Sequence, residues 1–156
     1  MNNIKHAVDI LEGLEIKKSF SVMPFERKRY VLMREPDWEI VLMTWGPQSK
    51  TGIHFHNGSR CWTRLVEGSL KERHFNRHAQ MMGEHALVPQ QNAYLDDDLG
   101  AHQVLNLGSE IAVSLHLYAD PITSCHVFDE ETGFWVSRDV ESEELNGIET
   151  NGELTL

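Results

Sequence analysis

The feature that most constrains this chain is a close succession of short β-branched and aromatic segments, cut apart by turn residues before a helix could complete. The segments are Trp38–Trp45, Gly52–His56, Cys61–Glu67, Leu70–Phe75, His85–Val88, Ala93–Leu95, His102–Leu107 and Glu110–Tyr118. Between them stand Gly46-Pro47, Asn57-Gly58-Ser59, Glu67-Gly68-Ser69, Asp96 to Gly100 and Gly108-Ser109. Glycine, asparagine, aspartate and serine supply the conformations and local hydrogen bonds that turns require. No helix of substance interrupts the series, which argues against alternating β-α-β units and for an all-β sandwich or jelly-roll barrel.

The chain has 156 residues, which suits one domain, 1–156, with one sizeable core. We divide it into a partly helical N-terminal segment, 1–29, a barrel, 30–138, and a tail, 139–156. In the first part Val8, Leu11 and Leu14 fall at helical spacing, with Asp9 and Glu12 on the outer side. The barrel pattern begins near Tyr30. Residues 76–92 are read as a loop with one short strand, and Phe134-Trp135-Val136 as a last strand. The tail carries six acids and no base, the pattern of a solvated segment.

The formal net charge of −10 argues against nucleic acid or an anionic membrane as partner. No apolar run reaches the length of a transmembrane helix, and the N-terminus lacks a secretory pattern. Only two cysteines occur, Cys61 and Cys125, which points to a reducing, cytoplasmic compartment. The sequence leaves the oligomeric state open, a monomer included.

Nine histidines are many for this length. His54 and His56 are two apart, so on a strand they project to one face. A third imidazole from a distant strand, His102, would complete a set able to hold iron, zinc, copper or nickel. The competing reading of an isolated H-x-H pair is a solvated strand edge. His6, His74, His78, His85 and His126 are read as ordinary surface or core histidines. In Glu110–Tyr118, Ile111, Val113, Leu115 and Leu117 alternate onto one face. Ala112, Ser114, His116 and Tyr118 share the other. Inside a barrel that polar row must be hydrogen-bonded, and a chain from Ser114 through His116 to Tyr118 would satisfy it. On an outer strand the same residues would simply face water.

Spacing adds a further constraint. Four residues separate His56 from Cys61, six more separate Cys61 from Gly68, and three separate His102 from Asn106. This resembles the two-part cupin pattern with cysteine where most cupins place a metal-binding glutamate. Two departures stand out: the glycine before His54 is off the usual spacing, and the usual Pro-x-Gly before His102 is not cleanly present. The string SLHLYADPITSCHVFDEETG, with LVEGSLKE and YLDDDLGAH, is similar to the cysteine dioxygenase family of cupins. The resemblance runs from about Trp45 to Gly133.

That resemblance implies a cupin β-barrel and an Fe(II)-dependent thiol dioxygenase. The substrates would be a small thiol, L-cysteine, and O2, and the product cysteine sulfinic acid. It implies His54, His56 and His102 as ligands of one non-haem iron. Ser114, His116 and Tyr118 would form an outer hydrogen-bond relay, and a Cys61–Tyr118 thioether crosslink is implied. Many bacterial relatives have glycine in place of this cysteine, so Cys61 points to the animal-type enzymes and to cysteine as substrate. Three neutral imidazoles leave the ion's charge at +2, which suits an anionic thiolate and leaves positions open. For Cys125 a buried hydrophobe is the simpler reading.

The family holds the substrate carboxylate with an arginine before the metal motif. Aligning the Pro36 loop gives Arg29, with Tyr118 assisting. An ungapped count back from Trp45 lands on Lys28, and Arg27 is a further candidate. Phe55 replaces a small acid of the relatives, with its ring turned away from the metal. The region before Tyr30 is shorter than in the animal enzymes. Two alternatives remain: a dioxygenase for another small thiol such as 3-mercaptopropionate, and a metal-binding cupin without turnover.

Overall fold

The computed structural model describes residues 3–143 and 154–155. Helix α1 (Asn3–Gly13) opens the chain. Strand β1 (Glu15–Ile16) follows, then β2 (Arg27–Arg34), β3 (Glu39–Trp45), β4 (His54–Phe55) and β5 (Arg60–Glu67). Next come β6 (Lys71–Phe75), β7 (Met81–Ala86), β8 (Asn92–Leu95), a short 3-10 turn (Asp97–Leu99) and β9 (Ala101–Leu105). β10 (Ala112–Ala119), β11 (Ser124–Asp129), β12 (Phe134–Asp139) and β13 (Leu154–Thr155) complete the order. One sheet runs β2-β3-β10-β5-β8 and the other β12-β11-β4-β9-β6-β7; β1 pairs with β13. The two larger sheets give the all-β barrel that the sequence pattern predicts.

Strand β10 organises the first sheet. It pairs antiparallel with β3 on one edge and β5 on the other, and all eight of its residues are buried. Val113, Leu115 and Leu117 pack under α1 against Ala7, Leu11 and Leu14. The opposite row joins Val41, Met43, Cys61 and Leu65 from its own sheet and Val104 from the facing one. The helix ends on Arg64, whose guanidinium donates to the carbonyls of Leu11, Glu12 and Leu14. It thereby satisfies acceptors that a helix C-terminus leaves open.

The second sheet carries its own apolar cover. Ile53, Phe75 and Ala101 are buried there beside Phe55, Phe128 and Trp135. Phe55 and Trp135 lie 4.8 Å apart, so the Phe55 ring does turn away from its flanking histidines.

Several boundaries differ from those read in the sequence. β2 begins at Arg27, not Tyr30, because its pairing with β3 continues to Trp45. Residues 76–92 contain β7 from Met81, paired with β6 in a hairpin. That strand is exposed along its whole length, so it carries no burial alternation to read. β11 is an additional strand. The start of the acidic tail is docked through its backbone, Glu143 N–H donating to Arg29 C=O at 2.7 Å, while Glu141, Ser142 and Glu143 remain exposed. Residues 144–153 of that tail lie outside the described residues. No helix among the described residues is long and apolar enough to cross a membrane.

Gly68, between β5 and β6, has φ of +78°, and a Cβ there would sit 2.5 Å from the Ile111 carbonyl oxygen. Backbone conformation and space both demand glycine. Gly68→Ala should lower stability by about 2 kcal/mol or more. A urea midpoint unchanged from the parent protein would contradict this account of the turn.

Candidate metal centre and active site

The two sheets bring separate halves of the site together. The second sheet supplies His54 from β4, His56 just beyond it, and His102 from β9. His54 and His102 are direct cross-strand partners. The His102 Nε2 atom lies 3.1 Å from Nε2 of His54 and 3.1 Å from Nε2 of His56. The three rings are mutually inclined by 60° to 84°.

Their other nitrogens explain this arrangement. His54 Nδ1–H donates to the Gly52 carbonyl at 2.8 Å, and His102 Nδ1–H donates to Glu72 at 2.9 Å. Each bond fixes a tautomer that leaves Nε2 as a lone pair. His56 Nδ1 is buried without a protein partner, so the backbone positions this residue instead. Its N–H donates to Asp97 at 3.0 Å, and Gly58 N–H reaches the other oxygen of the same carboxylate at 2.7 Å. Lone pairs converging at this distance repel unless a cation lies between them. Nitrogen ligands about 2.1 Å from one ion stand close to 3 Å apart along a polyhedron edge. The donor set therefore fits a divalent transition metal.

Burial keeps these bases in the metal-binding form. It is the main cause of the lowered His54 pKa. Burial first, and then the neighbouring imidazoles, holds His56 and His102 well below the usual histidine value.

The first sheet faces the triad with a polar row. Trp45 Nε1–H donates to Ser114 Oγ at 2.8 Å, and Ser114 Oγ lies 2.6 Å from His116 Nε2. The indole is a donor only, so the Ser114 proton is free to point at His116 Nε2. Nδ1–H of His116 then donates to Thr63 Oγ1 at 3.2 Å, and Thr63 lies 3.6 Å from Cys61 Sγ. Burial drives the His116 pKa down to about 3, which keeps this ring neutral.

The sequence reading runs the relay from His116 to Tyr118; the structure corrects that step. Both ring nitrogens of His116 are taken by Ser114 and Thr63. Tyr118 lies parallel to the imidazole, 6.1 Å away with 7° between the planes. Tyr118 is nevertheless at the centre: its ring is 5.5 Å from His56, and it is the cross-strand partner of Cys61. Burial pushes the Cys61 thiol up to about 12 and raises the Tyr118 phenol as well, so both are protonated at neutral pH.

Burial and partners separate the three basic candidates on β2, since Arg27 and Arg29 share a face and all three border the cavity. Arg29 is buried, with its guanidinium carbon 5.6 Å from the Tyr118 ring centre. It donates to Glu39 at 2.9 Å and to Ser142 at 2.6 Å. Glu39, fully buried, also accepts from Arg34 and from Ile122 N–H. Arg27 lies over Trp45 at the mouth of the cavity. Lys28 pairs with Glu26 at 3.4 Å, with both side chains more than a third exposed. The cavity is partly open to solvent, measures about 520 Å3 and is lined by residues that include the three imidazoles, His116, Tyr118 and Arg29.

Several contributors escaped the sequence reading. Thr63, Trp45, Glu72, Glu39 and Asp97 carry no spacing signal, since each is defined by a partner on another strand. Cys125 also lines the cavity and is only partly buried, short of the buried hydrophobe expected. His6, His78 and His126 are exposed. His74 and His85 are not isolated surface rings: both face Glu72.

The lowered pKa values have a measurable consequence. An unfolded histidine titrates near 6.5, so below that pH the unfolded chain binds protons that buried His56, His102 and His116 refuse. Metal-free protein should therefore lose stability as pH falls through 6.5, by up to about 1.4 kcal/mol per pH unit for each of these rings. Urea midpoints of the metal-free protein at pH 7 and pH 5.5 test this. Equal midpoints would mean that the rings are solvated.

Comparison with known proteins agrees with this geometry. Residues 12–131 match the family profile of Cysteine dioxygenase type I. The chain is 33% identical to Cysteine dioxygenase type 1 of Rattus norvegicus over 144 residues, covering 84% of this chain and 72% of that protein. It is 38% identical to the Danio rerio protein of the same name over 145 residues, with the same coverage. A Klebsiella pneumoniae structure described as an uncharacterized conserved protein with a double-stranded beta-helix domain superposes with a TM-score of 0.55. It shares 16% identity and covers 67% of this chain and 86% of that one, a likeness of fold alone. From its two-sheet barrel, its three-histidine centre and its match over most of its length, the chain belongs to the cysteine dioxygenase type I family of cupins.

Proposed function

We propose that this protein is an Fe(II)-dependent cysteine dioxygenase that oxidises L-cysteine with O2 to cysteine sulfinic acid. The observation that carries the proposal is the set of three neutral, converging Nε2 atoms beside a buried phenol and a buried arginine, with no carboxylate among the ligands. Ferrous iron bound at His54, His56 and His102 would supply the redox chemistry that joins both oxygen atoms to sulfur. All-imidazole ligation preserves the full positive charge, which favours an anionic thiolate and needs no separate reductant, since the thiol provides the electrons.

The protein's own groups do the rest. Arg29 anchors the substrate carboxylate. A guanidinium has five N–H donors, and Glu39 and Ser142 occupy two of them. The buried Glu39 fixes the guanidinium plane, so the group is oriented before substrate arrives. Tyr118, protonated, offers its hydroxyl as a donor at the reacting centre. His116 is held neutral between Ser114 and Thr63, with its ring parallel to that of Tyr118.

Cross-strand pairing also sets Cys61 to join Tyr118. In that crosslink a C–S bond forms between Sγ and a ring carbon, two hydrogens leave, and O2 at the working centre takes the two electrons. Two cysteines without a disulfide between them suit the reducing compartment in which free cysteine is the substrate.

Anaerobic loading with one Fe(II) per chain, followed by oxygen uptake with L-cysteine and product analysis, tests the activity. One sulfinate per O2 is the expected result. No uptake with any small thiol would leave a binding module, and a strong preference for 3-mercaptopropionate would remove the substrate assignment.

Arg29→Gln should raise KM for cysteine by about tenfold or more while Lys28→Ala leaves it unchanged. The reverse ranking would move the carboxylate site. The active protein should contain a fraction lighter by two hydrogens, absent from Cys61→Ala. The same shift in that variant would exclude a Cys61 thioether.

A further inference from the structure

Outside the cavity, the β6–β7 hairpin carries a second constellation. Glu72 and His85 are direct cross-strand partners, and His74 is two residues on from Glu72, so all three project from the same face. Glu72 Oε1 is 2.8 Å from His74 Nε2 and 3.3 Å from His85 Nε2. The two imidazoles are stacked, 5.2 Å apart with 14° between their planes. The three ligand atoms all lie within 4.8 Å of one another.

We propose that Glu72, His74 and His85 form a second metal site that takes zinc, separate from the three-histidine centre. Two imidazole nitrogens and a carboxylate oxygen are a zinc-type donor set, and a water would fill the fourth position. In a tetrahedral zinc site with bonds of about 2.0–2.1 Å, neighbouring ligand atoms stand roughly 3.3 Å apart. The His85 contact already has this spacing, and the His74 contact reaches it by opening about half an ångström.

The surroundings support the assignment. The Glu72 side chain is 4% exposed and its Oε2 is held by His102 Nδ1, so the Oε1 lone pairs are fixed in direction before any ion arrives. The His85 side chain is 48% exposed, which leaves an entry path and room for the water. The opposite face of the hairpin is settled separately: Glu84 pairs with Lys71 at 3.1 Å and Arg73 at 2.5 Å. Because Glu72 uses a different oxygen toward each centre, both centres can be filled at once.

Zinc alone tests this independently of the dioxygenase reading. The tag-free full chain is dialysed to equilibrium against micromolar Zn2+, and bound zinc is counted by elemental analysis. Two ions per chain are expected for the parent protein and one for the His74→Gln/His85→Gln double variant, with unchanged circular dichroism. The single variant His85→Gln, at the more exposed position, should weaken the second ion at least tenfold and leave the first unaffected. A bound-zinc count that the double variant does not lower, or an ion retained there with undiminished affinity, would overturn the site, whereas loss of one ion from a parent that holds only one would leave the site standing and count against the three-histidine centre.

Discussion

Strand β10 is hydrogen-bonded along both edges and buried on both faces, and the rest of the site is arranged around that confinement. An apolar row can satisfy one face against a helix. A row containing Ser114, His116 and Tyr118 cannot be left dry without partners, because each unpaired polar group would cost about 1–3 kcal/mol. Trp45 and Thr63 meet that need from the two flanking strands. Cross-strand register thus converts a local alternation into a directed chain of hydrogen bonds from Trp45 to Cys61. The neutral, rigid imidazole of His116 is its central member.

The facing sheet follows a complementary logic. There the imidazoles are held by groups that leave their Nε2 lone pairs unshared, so the fold concentrates electron density where a cation belongs. Burial reinforces this by suppressing the protonated forms. Glu72 has a double position: one oxygen orients His102, and the other lies between the two stacked histidines of the hairpin. A metal ligand is only as well placed as the group behind it. In this protein that group is itself shared with the surface.

Much of the architecture was legible from residues alone, for identifiable reasons. The strands that carry the site have strong alternation or clear turn punctuation, so Trp38–Trp45, Cys61–Glu67 and Glu110–Tyr118 could be placed within two residues. Two-residue periodicity put His54 with His56, and it put Ser114, His116 and Tyr118 on one face. Edge strand β7 was poorly bounded because it is exposed throughout and has no burial pattern to betray it. The choice among Arg27, Lys28 and Arg29 could not be made by counting, since residue spacing does not record which of them is buried beside Tyr118.

The sequence by itself determined which side chains could share a face, that the fold is built of strands, and that a cysteine stands where a carboxylate ligand is common. Those properties are local, fixed by backbone periodicity and residue chemistry. Tertiary structure decided which faces meet. It set Thr63 at the far nitrogen of His116 and Tyr118 opposite Cys61, with Glu39 behind Arg29 and Glu72 between two groups of histidines. Each of these is a contact between strands far apart in the chain, and packing and register select such partners where residue spacing carries no record of them.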